Sequence, residues 1–194
     1  MASNFQVSII LCRRAFIIAL GIVIPFLLLT ARTGFSGDNM ELKSSAFNDG
    51  GKISTQYIMK EIGGENTSLA FEWSNAPAET KSFAFSIVDP HPVASNWVHW
   101  FVINIPAGTN SIAEGASGKN MPAGSTELNN SYGSVGYGGP QPPAGSGDHP
   151  YVCTAYALSV DKLDMETNVS LSDFKKALEG KILAQATITG NYGR

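Results

Sequence analysis

The chain has 194 residues, of which 43% are apolar and 15% are charged, and its formal net charge is −3. This composition fits one globular domain with its own core and excludes a disordered or collagenous chain. Residues 1–36 hold three arginines and no acidic residue, so the charge without them falls to −6. Because the chain lacks the basic surface that nucleic acids require, no nucleic-acid partner is expected.

Residues 1–36 have the layout of a secretory signal peptide. Arg13 and Arg14 precede the apolar run 15–29, and small or polar residues follow that run. A positive start, an apolar centre and small residues before a cleavage point are the three parts of such a signal. We expect cleavage after Ser36 and export to the periplasm or the medium.

Residues 37–194 are then predicted to form a single domain. The alternative is that residues 15–31 remain as a membrane anchor, since this run of about 17 residues is at the lower limit for a membrane span. Cleavage would remove Cys12 and leave Cys153, so the mature domain forms no internal disulfide. We expect Cys153 to be a small buried hydrophobic residue.

The mature chain is predicted to be mostly β. Its short β-branched and aromatic runs are separated by many of the 20 glycines and 10 prolines, which is typical of a β architecture rich in turns. Residues 107–134 are polar and rich in glycine and serine, and we expect them to lie outside the core. The predicted extended segments cover residues 40–47, 53–59, 68–73, 83–88, 97–105, 151–160 and 181–189.

Two of these strands, 83–88 and 97–105, are joined by a polar turn that begins at Asp89. Residues two apart on a strand are separated by roughly 6.5 Å, so Trp97 and His99 are expected to line the same small pocket. Strict alternation in the second strand places one set of side chains on a single face: Trp97, His99, Phe101, Ile103 and Ile105.

Two segments of the chain are unusual. The first is the strand-turn-strand stretch 83–106, and the second covers residues 136–151. Its first twelve residues hold five glycines and three prolines, so the backbone turns tightly and main-chain groups are exposed. Such a segment is either a surface linker or a loop that forms a site. It ends at His149 and Tyr151, which point to the same side of the strand that follows.

One α-helix is predicted, over about residues 170–179. Ser170 and Asp173 have the spacing of a capping box, and apolar residues follow at helical spacing. Gly180 supplies the signal that ends the helix.

All three histidines, His91, His99 and His149, lie in the two unusual segments, beside Asp89 and Tyr151. Imidazoles and main-chain N–H groups between aromatic walls suit a small anion such as phosphate. Three histidines and a carboxylate also suit zinc or another transition metal, in a metal-binding protein or a metal-dependent hydrolase. A hydrolase built from Asp, His and a hydroxyl is a third hypothesis, but the chain has no G-x-S-x-G element.

Three segments of the chain read DPHPVASNWVHWFVINIP, GYGGPQPPAGSGDHPYVCTAYAL and GNYGR. They resemble the signature regions of the phosphatidylethanolamine-binding protein (PEBP) family, in its bacterial Raf-kinase-inhibitor-like branch, and the resemblance covers residues 42–194. It implies a sandwich of two antiparallel sheets with a small helical element. It also implies a shallow pocket for phosphate or a phosphorylated head group such as phosphoethanolamine, with no cofactor and no catalytic residue.

The resemblance also assigns site residues. His91, which departs from the family pattern, completes the predicted set of ligand-binding residues. By position, Asp89, His99, His149 and Tyr151 match the family's pocket, Trp97 matches an aromatic wall, and Gly139, Pro140 and Pro142 fall in its G-P-x-P-P loop.

Two departures from the family bear on the ligand. His91 stands where the family usually has a second aspartate in D-P-D-x-P, and Pro150 stands where it has the arginine of H-R-Y. Fixed charges are thus exchanged for an imidazole that titrates near pH 6.5, so we expect the affinity for phosphate to rise below about pH 6.5. The family's inhibitor members further suggest a protein partner whose activity the chain modulates, and the family suggests a homodimer.

Overall fold

The computed structural model describes residues 40–194, which fall in one structural unit. The predicted signal peptide, its cleavage point and the alternative anchor lie outside these residues. Among the residues that are described, no helix has both the length and the apolar character that crossing a membrane requires.

Within residues 40–194, eight strands form two antiparallel sheets, as the mostly β prediction requires. In chain order they are β1 (Glu41–Lys43), β2 (Phe71–Ser74), β3 (Ser82–Asp89), β4 (Trp97–Pro106), β5 (Ser111–Ile112), β6 (Thr126–Glu127), β7 (His149–Leu158) and β8 (Ile182–Tyr192). The smaller sheet has the order β1-β2-β5 and the larger has the order β6-β4-β3-β7-β8. Every pairing of strands is antiparallel, so the predicted sandwich is confirmed.

Strand β3 of the larger sheet is buried on both faces, because every residue from Ser82 to Ile87 is buried, including the two serines. One face packs against the smaller sheet, where the rings of Phe71 and Phe85 have centroids 4.5 Å apart. Cys153 is fully buried in this core, as predicted. The opposite face packs against a helix, where Phe101 stacks on Phe174 at 4.1 Å.

The predicted helix is present as α1 (Leu171–Leu178). Ser170 is its N-cap, and its hydroxyl accepts a hydrogen bond of 3.1 Å from the backbone N–H of Asp173. The Asp173 carboxylate in turn accepts from the backbone N–H of Ser170, which completes the capping box. Gly180 follows with a positive φ of 71°, a conformation that costs glycine little.

A β-bulge in β4 changes the predicted alternation. Ile87 lies opposite Trp100 while Val88 lies opposite Val98, so His99 has no residue opposite to it. The prediction that the face of His99 continues through Phe101 and Ile103 is therefore wrong. Beyond the bulge, Trp100 and Val102 pack in the core between the sheets, and Phe101 and Ile103 pack on the helix side.

Two other predictions are corrected. Residues 53–59 form no regular strand, and two short 3₁₀ helices, Thr55–Tyr57 and Lys60–Ile62, occupy this region. The backbone there is held by the glycine-rich loop, since Met59 N–H donates to the Pro140 carbonyl at 3.1 Å. Residues 107–134 are not entirely outside the core, because three of their apolar side chains, those of Ile112, Ala116 and Leu128, are buried in it.

Phe174→Ala is expected to lower the free energy of unfolding by about 3–5 kcal/mol, because it removes a fully buried ring. Urea denaturation followed by circular dichroism measures the change. Lys175→Ala is the matched control at the next, exposed position and should change stability by about 0.5 kcal/mol at most. Equal losses in the two variants would show that the ring does not anchor the helix.

Candidate functional site

One cavity brings the two unusual segments together. Asp89 is the last residue of β3, and Trp97 and His149 are the first residues of β4 and β7. Because β4 and β7 both pair antiparallel with β3, the end of β3 lies beside the starts of β4 and β7, and these three positions meet at one end of the strands. The cavity has a volume of about 330 Å³ and is lined by Asp89, Val93, Ala94, Trp97, His99, Tyr132, Gln141, Pro142, Pro143, His149 and Tyr151.

A buried ion pair lies in the wall of this cavity. Nδ1 of His149 is 2.6 Å from Oδ2 of Asp89, and both side chains are at most 3% exposed. The other oxygen of Asp89 accepts a hydrogen bond of 2.8 Å from the backbone N–H of His91. Both carboxylate oxygens therefore have partners, as a buried charge requires.

Ser146 continues the hydrogen-bond chain on the far side of His149. Its hydroxyl is 2.7 Å from the carbonyl of Pro143 and 2.9 Å from Nε2 of His149. A carbonyl only accepts, so the single hydroxyl proton goes to Pro143 and Nε2 donates to the serine. Both ring nitrogens of His149 are then donors, and the ring is an imidazolium paired with Asp89.

This assignment bears on the hydrolase hypothesis. Ser146, His149 and Asp89 have the connectivity of a Ser-His-Asp triad, and the sequence did not single out this serine. In a triad, however, the histidine accepts the hydroxyl proton. Here that proton is directed to Pro143, so the arrangement does not activate Ser146 as a nucleophile.

His99 is tied to the glycine-rich loop by two hydrogen bonds. Its Nδ1 lies 2.6 Å from the carbonyl of Gly138, and its own carbonyl accepts from the Gly138 N–H at 2.9 Å. The carbonyl fixes the proton on Nδ1, which leaves Nε2 of the neutral ring as an acceptor. Burial lowers the pKa of His99 to about 4, so this ring is neutral near pH 6.5 and does not contribute to the rise in affinity expected below that pH.

Two tyrosines enclose the imidazole of His99. The ring of Tyr151 is 4.9 Å from it and the ring of Tyr132 is 5.8 Å from it, both edge to face. Burial raises the pKa of both tyrosines, which keeps their hydroxyls protonated. The Tyr132 hydroxyl donates to the Gly139 carbonyl at 3.0 Å, and this bond fixes its ring in the cavity wall.

Two glycines allow the loop to approach so closely. A Cβ at Gly138 would lie 2.5 Å from Cδ2 of Tyr132, and a Cβ at Gly139 would lie 2.3 Å from the carbonyl oxygen of Tyr57. Neither distance is tolerable for a side chain, so both positions require glycine for steric reasons. The loop is therefore a packed part of the site rather than a surface linker.

The nine predicted site residues have different positions relative to the cavity. His91 stacks on the imidazole of His149, with centroids 3.8 Å apart and planes at 24°, but does not line the cavity. Gly139 and Pro140 do not line it either. The cavity wall contains the other six predicted residues, Asp89, Trp97, His99, Pro142, His149 and Tyr151.

The sequence interpretation missed five residues of the wall. Val93 and Ala94 lie in the turn between β3 and β4, and Gln141 and Pro143 lie within the loop that was already singled out. Proximity to Asp89 and Pro142 was the signal that could have identified these four. Tyr132 offered no such signal, because it lies in a segment that was expected to be outside the core.

The geometry gives the metal hypothesis no support. Within residues 40–194, no three His, Cys, Asp or Glu side chains are grouped so as to hold a metal ion. The arrangement of the imidazole rings explains this. His91 and His149 stack face to face, and both nitrogens of His149 are already hydrogen-bonded, to Asp89 and to Ser146.

Comparison with known proteins identifies the family. Residues 43–193 match the family model described as phosphatidylethanolamine-binding protein. The chain belongs to this family. A "UPF0098 protein" of Methanothermobacter thermautotrophicus is 38% identical over 156 residues, which cover 80% of this chain and 99% of that relative.

Two further PEBP-family comparisons concern structure and cellular context. The crystal structure of Escherichia coli YbcL, described as a new member of the mammalian PEBP family, has a TM-score of 0.75 and 33% identity, and the match covers 80% of this chain and 98% of YbcL. The putative lipoprotein LppC of Mycobacterium tuberculosis is 33% identical over 157 residues, or 81% of this chain and 74% of LppC. The resemblance in the sequence and the predicted PEBP-like sandwich are thus confirmed.

Asp89→Asn is expected to lower the free energy of unfolding by about 3 kcal/mol, because it leaves the buried imidazolium of His149 without its counter-charge. Urea denaturation at neutral pH measures the loss. Asp148→Asn is the control, since the Asp148–Lys52 pair is more than half exposed and should contribute at most about 1 kcal/mol. If both variants lost the same amount, the buried pair would not be the special contact that the structure indicates.

Proposed function

We propose that this PEBP-family chain is an exported binding protein for a small phosphorylated ligand, such as phosphate or phosphoethanolamine. The observation that carries the proposal is the convergence of Asp89, His99, His149 and Tyr151 on one cavity from segments far apart in the chain. Its volume of about 330 Å³ lies at the lower end of the range for ligand pockets, which suits a head group rather than a large molecule.

Two residues of the wall carry polar atoms that can meet a ligand. His99 and Tyr151 both line the cavity. Nδ1 of His99 is bonded to the Gly138 carbonyl, so Nε2 is the ring nitrogen that remains for a ligand. The hydroxyl of Tyr151 is protonated and can donate.

The mouth of the cavity supports a ligand with an apolar part beyond its phosphoryl group. Val93 is 58% exposed and Trp97 is 36% exposed at this rim. The ring of Trp97 is held edge to face against Tyr132, with centroids 5.3 Å apart. An apolar substituent lying on this rim would bury surface that otherwise faces water.

Export is supported by the signal-like residues 1–36 and by the similarity to LppC, which is named a putative lipoprotein. No catalytic role is proposed, because Ser146 is not activated and the histidines do not converge on a metal position. Modulation of a partner protein and homodimer formation stay predictions.

Tyr151→Phe is expected to weaken the binding of phosphoethanolamine about five- to tenfold, because it removes one donor to the phosphoryl oxygens. Calorimetric titration measures the affinity. Tyr156→Phe on the same strand is the control, since its hydroxyl faces Ser86 at 3.3 Å and lies away from the cavity. If neither phosphate nor phosphoethanolamine bound to the unaltered protein, the proposed function would be wrong.

Expression of the full chain in a bacterial host tests the location. We expect a periplasmic protein whose first residue is Gly37, because the apolar run and the small residues after it form a cleavable signal. Fractionation followed by mass spectrometry of the intact protein identifies the first residue. A full-length chain in the membrane fraction would instead support the anchor formed by residues 15–31.

A further inference from the structure

The cavity wall carries no excess positive charge. Its eleven residues include no lysine and no arginine. The imidazolium of His149 is already paired with the carboxylate of Asp89. A dianion that enters this cavity would lose its hydration without meeting a free cation, and such desolvation is costly.

The same wall presents an acceptor where an anion site would normally present a donor. Nδ1 of His99 donates its proton to the Gly138 carbonyl, so Nε2 carries a lone pair. Because His99 lines the cavity and its Nδ1 is bonded to the loop, Nε2 is the ring nitrogen that remains for a ligand. A phosphoryl oxygen without a proton would be repelled by that lone pair, whereas a P–OH group would donate to it.

We propose that the site selects the singly protonated form of a phosphate monoester, whose P–OH donates to Nε2 of His99 while its unprotonated oxygens accept from groups such as the Tyr151 hydroxyl. This inference rests on the proposed function and adds the protonation state and ester class of the ligand. Sulfate, the phosphate dianion and phosphate diesters all lack the required proton. A site built to bond a hydroxyl discriminates strongly against analogues without it.

The titratable groups that face His99 are Asp89 on β3, His149 and Tyr151 on β7, and Tyr132 on the segment before the glycine-rich loop. Burial lowers the pKa of His99 to about 4, so its acceptor is present above that pH. The second pKa of a phosphate monoester is about 6. Affinity should therefore rise as pH falls through 6, because the monoanion becomes the main form of the ligand while His99 stays neutral.

Calorimetric titration of the unaltered protein with methyl phosphate, dimethyl phosphate and sulfate tests the inference. At pH 5.5 we expect methyl phosphate to bind at least about tenfold more tightly than sulfate or dimethyl phosphate. Between pH 5.5 and 7.5 its affinity should fall by more than about tenfold, following the loss of the monoanion. Sulfate and dimethyl phosphate do not titrate in this range, so they report any change that originates in the protein.

The number of protons taken up on binding is a second measurement that tests the inference. At pH 7.5 the dianion must gain a proton to bind, so the binding enthalpy of methyl phosphate should depend on the ionisation enthalpy of the buffer, with an uptake of about one proton. Sulfate should show no such dependence.

The outcomes separate the two proposals. Sulfate or dimethyl phosphate binding as tightly as methyl phosphate, or methyl phosphate binding without proton uptake, would overturn the selection of the monoanion and leave the phosphoryl site in place. If none of the three ligands bound at either pH, the site itself would be rejected.

Discussion

The site depends first on the buried pair of Asp89 and His149, which joins the end of β3 to the start of β7 across 60 residues of sequence. A buried carboxylate and imidazolium are tolerated only when each charge is paired and the remaining polar atoms are bonded. The His91 N–H and the Ser146 hydroxyl meet that condition on either side of the pair. The pair thus holds together the strand ends at which the cavity opens.

The pair also explains where the two departures from the family pattern act. The sequence suggested that His91 would bring a titrating imidazole into the pocket in place of a fixed charge. In the structure His91 lies outside the cavity wall and stacks on the imidazole of His149. A charge on His91 would therefore act on a ligand indirectly, by way of His149. Pro150 is half-buried on β7 and does not line the cavity. Neither departure therefore places its own side chain in the cavity wall.

Most strands and the helix could be predicted because their signals are local, as the capping box at Ser170 and the alternation in β3 show. The convergence of the histidines could also be predicted, since each lies near a strand end. The bulge at His99 could not, because register is set by the partner strand and not by the bulged strand alone. The roles of Tyr132 and Ser146 arise from contacts between segments, which no local pattern encodes.

The glycine-rich loop links this packing to the chemistry of the cavity. The bulge turns His99 towards the loop, and the missing side chain of Gly138 lets its backbone pack against the ring of Tyr132. In that position the Gly138 carbonyl takes the Nδ1 proton of His99. A side chain at Gly138 would move the carbonyl away and release the imidazole to place its proton on either nitrogen. Glycine at this position therefore determines that the cavity presents an acceptor, although Gly138 itself does not line the cavity.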